Sequence, residues 1–146
     1  MQQKAKVYSR YSFLLDRTAR RVKQYAKQRF RELGWEITID QWAIIKQLYD
    51  KGPQNQRQLG DDTFKDNPTI TRILDLLNEK GYIERKAHPD DRRSFLIALT
   101  AKGHKLVGDC LPEVQDIRMR AWENLSQKDF KEFKRILDSI YANLSL

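Results

Sequence analysis

The side chains with the greatest chemical reach in this 146-residue sequence fall in two short runs, residues 67–72 (NPTITR) and residues 90–94 (DDRRS). Between them they supply an amide, hydroxyls, guanidinium groups and carboxylates, which donate and accept hydrogen bonds and carry charge. No Ser-His-Asp order, P-loop or dinucleotide fingerprint accompanies them. Asp61 with Asp62 and Asp90 with Asp91 are adjacent carboxylates in polar stretches, the usual place of turn formers. One cysteine, Cys110, and two histidines, His88 and His104, lack metal-ligand spacing. The chemistry on offer is recognition of a polar, charged surface. No enzyme, no cofactor and no metal site is expected.

The sign of that surface follows from the charge balance. Twenty-eight Lys and Arg against twenty Asp and Glu give +8, which favours a polyanionic partner. The excess is unevenly placed. Residues 1–36 hold ten basic and three acidic residues, residues 37–100 ten of each, and residues 101–146 eight and seven. A neutral middle segment that binds a polyanion must aim a few cations and helix ends at it. The basic first segment reads equally as a solvated face and as a phosphate-guiding surface.

The elements that must carry the two runs are legible from periodicity. Residues Tyr11, Leu14, Leu15, Thr18, Val22, Tyr25, Phe30 and Leu33 repeat at helical spacing, and Gly34 marks the end of one long amphipathic helix. Thr38 and Gln41 are spaced as a capping box for a second helix, which carries Trp42, Ile45 and Leu48 inward and ends at Gly52 and Pro53. A short helix over 55–61 buries Leu59. Asn67 then reads as a cap and Pro68 as N1, where its missing amide hydrogen costs nothing. Ile70, Ile73, Leu74 and Leu77 follow at i, i+3, i+4 and i+7, while Thr69, Thr71, Arg72, Asp75 and Asn78 lie on or beside the other face. Strands at 82–87 and 95–99 bracket a charged tip too long for a two-residue turn, so it should project. Thr100 caps a long helix to about residue 123, and Ser126 with Asp129 opens a last one bearing Phe130, Phe133, Leu137, Ile140 and Tyr141.

Two helices joined by a polar turn, the second with a small-polar and Arg face, followed by an Arg-tipped hairpin, make a winged helix-turn-helix. An exposed helix fits the B-DNA major groove, where Thr hydroxyls, Asn amides and Arg meet base edges or phosphates. A wing lays Arg into the neighbouring minor groove. The fold class expected is mainly α with a small β-hairpin wing. The first helix and the last two are too long and too apolar on one face to be satisfied by a lobe of about sixty residues, which predicts burial against a second copy.

The stretches PTITRILDLLNEKGYIER, residues 68–85, and DRRSFLIALTAKG, residues 91–103, resemble the MarR family of transcription regulators over nearly the whole chain. The second stretch holds that family's wing pattern, here Asp91, Arg93, Leu99, Thr100 and Gly103. The resemblance implies one domain, 1–146, with a DNA-binding lobe at 37–100 and dimerisation helices at 1–36 and 101–146. It implies a homodimer on a pseudo-palindromic operator, with Thr69, Thr71 and Arg72 facing the major groove. Arg93 would enter the minor groove oriented by Asp91, with Arg92 and Ser94 on phosphate. Asn67 joins this set as a side chain at the helix start. Two departures stand out: Gly60 in place of the usual Ala, predicting a short helix that frays or distorts, and Thr63 in place of an apolar turn residue.

The function expected is a sequence-specific double-stranded DNA-binding regulator, a repressor, released by a small aromatic or phenolic effector. Trp35, Trp42 and Trp122 are candidates for lining an effector pocket or for core packing, and Cys110 for packing or redox sensing. The alternatives are a winged-helix protein-interaction module and a nonspecific architectural DNA binder. No window reaches the roughly 18 apolar residues of a membrane span, and the start lacks the apolar stretch of a secretory signal, so a cytoplasmic protein is expected.

Overall fold

The computed structural model describes residues 1–146. Six helices and one hairpin follow in the order α1 (Gln2–Glu32), α2 (Ile39–Lys51), α3 (Gln56–Asp62), α4 (Asn67–Glu79), β1 (Ile83–Ala87), β2 (Phe95–Leu99), α5 (Ala101–Arg120) and α6 (Gln127–Asn143). The mainly α fold with a hairpin wing is therefore observed. Capping boxes start α2 from Thr38 and Gln41, α3 from Asn55 and Gln58, and α6 from Ser126 and Asp129. Each satisfies two backbone amides that the helix itself cannot. No helix is long and apolar enough to cross a membrane.

One core joins the C-terminal end of α1 to α2, α3, α4, the hairpin and α5. Ile44, Ile45, Leu59, Leu74, Leu77 and Val107 in it have no exposed surface. Trp42 belongs to this core, and Trp35 packs against it edge-on to Phe30 at 4.9 Å. Cys110 is also buried here, where burial and the Asp109 carboxylate hold its thiol above the ordinary value. That environment opposes the thiolate and suits packing.

The hairpin pairs Ile83 with Leu99 and Ala87 with Phe95. Its inner edge is extended by Gln54, which exchanges both backbone hydrogen bonds with Ile97 at 3.1 and 2.7 Å. At its base, Thr100 closes the turn into α5. The Thr100 hydroxyl donates to the Gly81 carbonyl at 2.6 Å and accepts from the Gly103 amide at 3.1 Å. Gly103 lies so close to β1 that a Cβ there would run into the Tyr82 carbonyl and sit 3.1 Å from Leu99 Cδ2. Pro112, not flagged by periodicity, is accommodated inside α5.

The outer helices are different. Only Ala26 and Phe30 of α1 are buried, and no residue of α6 is. Helix α6 touches the chain through Trp122, whose ring meets Phe130 at 5.7 Å and Phe133 at 5.6 Å. Tyr8, Tyr11, Phe133, Ile136 and Ile140 are left exposed.

The two glycines of α5 should respond oppositely to alanine. Gly103→Ala forces the hairpin base apart and should cost about 3 kcal/mol. Gly108 has open space around its Cα, so Gly108→Ala should gain up to about 1 kcal/mol. Urea unfolding midpoints check both signs.

Candidate nucleic-acid interface

The orientation of α4 is set by burial of Ile70, Ile73, Leu74 and Leu77, all at or below 4% exposure. Its start differs from expectation. The cap is Asp66, whose side chain accepts the Thr69 amide at 2.8 Å, and Asn67 is already helical with Pro68 next. A carboxylate at this end also meets the positive pole of the helix, which an Asn amide does not. Asn67 is thereby freed from capping.

Asn67 and Thr71, one turn apart, instead converge on a residue the periodicity did not single out. Gln56 Nε2 in α3 donates to Asn67 Oδ1 at 3.0 Å and to Thr71 Oγ1 at 2.7 Å. Because the Thr71 oxygen already accepts, its hydroxyl hydrogen remains for an outside acceptor. The readable signal was the Asn55 and Gln58 capping box, which places Gln56 at the first turn of α3. Thr69 is not brought together with Thr71. They lie two positions apart on α4, about 200° of rotation, and the Thr69 hydroxyl turns back toward Asp66. Arg72 is exposed, and on the Thr69 side it lines a groove of about 590 Å³ with Lys23, Lys27 and Arg31 of α1 and with Trp35.

The turn before α4 is tighter than its polar sequence indicates. Phe64 adopts φ 56°, rare for a residue with a Cβ, and its ring is 84% exposed. Gly60 does not fray α3. The chain folds back on it, the Lys65 amide donating to the Gly60 carbonyl at 2.9 Å, and a Cβ would sit 3.1 Å from the Lys65 carbonyl oxygen. Gly there admits the reversal. Asp62 ties α3 to its neighbours by accepting from Gln54 and Gln47 at 3.0 Å each and from Lys51 at 3.3 Å.

The wing is pinned to α4 by Arg85, which pairs with Asp75 at 3.1 Å. At the tip Asp91 organises the turn, accepting the Arg93 amide at 2.9 Å and the Ser94 hydroxyl at 3.0 Å. Asp91 thus positions the Arg93 backbone and leaves its guanidinium unpaired. Arg92 and Arg93 are both exposed and take part in no ion pair. The Arg93 amide, then the Ser94 hydroxyl, hold the Asp91 carboxyl below its usual range. The Thr69 hydroxyl and amide do the same for Asp66. The arrangement as a whole presents donors from one helix face and a pair of free cations on a projecting hairpin.

The MarR family model matches residues 37–95. The HTH-type transcriptional regulator MhqR of Bacillus subtilis (strain 168) is 32% identical over 100 residues, 68% of this chain and 68% of that protein. The MepR–DNA complex of S. aureus aligns with a TM-score of 0.80 at 25% identity, covering 92% of this chain and 98% of that one. The structure of Bordetella bronchiseptica BpsR, whose DNA binding is regulated by 6-hydroxynicotinic acid, aligns at 0.78 and 21% identity over 90% and 98%.

The two turn-forming carboxylates define an acid limit for the site. Their folded values lie below the ordinary 3.8, so the order they impose is complete above that value and lost as pH falls through the depressed one. Exchange protection of the Thr69 and Arg93 amides should persist at about pH 5 and be lost only at pH values below the ordinary carboxylate range. Asp66→Ala should remove protection at Thr69 at every pH. Loss of both amides already at about pH 5 would contradict these assignments.

Proposed function

This chain belongs to the MarR family of transcriptional regulators, and we propose that it is a homodimeric repressor that reads a pseudo-palindromic duplex operator in the cytoplasm. The observation that carries the proposal is the outward face of α4, backed by four buried apolar residues and continued by a wing with free guanidinium groups. In this reading Asn67, Thr71 and Arg72 meet base edges in the major groove. Thr69 stands at the helix start near a phosphate, Arg93 enters the minor groove, and Arg92 and Ser94 contact phosphate. Gln56 positions Thr71. Asp91 sets the height at which Arg93 is offered.

The dimer is supported by the apolar faces that one chain cannot cover. Between the end of α1, the end of α5 and α6 lies a cleft of about 1050 Å³ lined by Tyr25, Ile117, Trp122, Phe133 and Leu137. A second copy burying these faces would exclude water from them, and two-fold symmetry would place the α4 helices about one DNA turn apart. The groove that joins Trp35 and Phe30 to Lys23, Lys27, Arg31 and Arg72 holds these four cations against the carboxylates of Glu36 and Asp40, an excess that suits a small aromatic anion, which would compete with DNA for Arg72. Trp35 serves that groove, whereas Trp42 is core and Trp122 lies at the cleft.

Binding titrations at several salt concentrations test the division of labour. Arg93→Ala should weaken operator and scrambled duplex alike and reduce the salt slope by about one unit. Thr71→Ala or Arg72→Ala should cost about 1–3 kcal/mol on the operator and change base preference. Equal losses on both duplexes for all three variants would refute it. For the dimer, sedimentation should give the mass of two chains, and Phe133→Asp with Ile140→Asp should give one; a lone wild-type chain would refute the pairing.

A further inference from the structure

Helix α1 holds ten cations, and only two of them are paired, Arg20 with Asp16 at 3.0 Å and Arg29 with Glu32. Helix α6 shows the ordinary alternative, with Lys134 bound to Asp138 and Arg135 to Glu132. Seven α1 cations form one ridge: Lys6, Arg10, Arg17, Arg20, Arg21, Lys27 and Arg31. At about 100° per residue they occupy roughly a third of the circumference. All seven are exposed. They lie about opposite the stripe of Tyr8, Tyr11, Leu15, Val22, Ala26 and Phe30, whose last two members are buried in the core. The ridge therefore faces away from the protein. Lys6 with Arg10, Arg17 with Arg21 and Lys27 with Arg31 are like charges at i and i+4, an arrangement that works against the helix unless an anion relieves it.

We propose that this ridge is a second binding strip for duplex DNA, sequence-independent and separate from α4 and the wing. The inference rests on the reading of the chain as a duplex binder and assigns the source of its salt-dependent affinity. Three observations favour DNA as the occupant. The ridge extends over about 38 Å at 1.5 Å per residue, close to one turn of B-DNA. Its end is continuous with α4, since Lys27 and Arg31 share a groove with Arg72. The lobe that carries α4 and the wing is neutral, ten cations against ten anions over residues 37–100, so the unneutralised charge that attracts a phosphate backbone lies elsewhere. A bilayer fits less well. Phe13 is the only apolar residue within the ridge, and the apolar stripe that would enter lipid is turned into the core at Ala26 and Phe30.

The test uses the full chain with Lys6→Gln, Arg10→Gln, Arg17→Gln and Arg21→Gln together, titrated with operator and random-sequence duplexes over a range of salt. At about 0.9 per phosphate contact, the salt slope on random duplex should fall by about two units or more, with at least a tenfold loss of affinity at low salt. The preference for operator over random duplex should rise. Arg10→Lys, Arg17→Lys and Arg21→Lys together keep the charge and should bind as wild type, which separates charge from folding, with helicity checked by circular dichroism. An unchanged slope in the Gln variant overturns the strip while leaving the operator reading intact. Failure of the wild type to bind any duplex at low salt overturns both. Loss of binding to phosphatidylserine vesicles with duplex binding unchanged would assign the ridge to a membrane and also overturn the proposal.

Discussion

Burial of a single stripe on α4 is the constraint from which the rest of the interface follows. Ile70, Ile73, Leu74 and Leu77 can leave water together only in one rotation of the helix. That rotation sends Arg72 outward, puts Thr71 and Asn67 beside α3, and turns Thr69 toward its own cap. A slip of one residue would expose two or more of these side chains, each worth roughly 1.5–3 kcal/mol when buried. No polar contact on the free face is strong enough to oppose that.

The wing depends on the same seam through the chain that leaves α4. Gly81 and Tyr82 turn the backbone, and Thr100 gathers the hairpin base by bonding to both sides of it. Gln54 extends the sheet from the inside and Asp75 ties β1 to α4 from the outside. The projecting tip then needs only local order, which Asp91 supplies by holding the Arg93 amide and the Ser94 hydroxyl. Rigid support below and a self-contained turn above let the two guanidinium groups stay free.

Charge and apolar surface are divided between the ends of the chain and its middle. The lobe over residues 37–100 balances its own charge and closes its core with the end of α1 and with α5. The rest of α1 and the whole of α6 lie outside that core, α1 leaves eight cations without partners, and both helices leave aromatic and aliphatic side chains in solvent. A chain of this size has too little interior to satisfy helices of that length, so their surfaces are available to other molecules.

Periodicity and caps in the sequence determined the elements and the buried stripe of α4, because helix spacing and capping are local properties of neighbouring residues. The hairpin and the exposure of Arg92 and Arg93 were legible for the same reason. Which residue caps α4 was not. Asp66 and Asn67 are both good caps, and the choice fell to the one whose carboxylate reaches the Thr69 amide. The fit at Gly60 was also beyond the sequence, since its lack of a side chain matters only once Lys65 folds back upon it. Gln56 joining Asn67 to Thr71, Gln54 joining the hairpin, and the shared groove of Arg72 with α1 all link residues distant in the chain. Only the packing of α3, α4 and α1 around one core decides those, because a pattern along the chain carries the period of an element and not the identity of its neighbour.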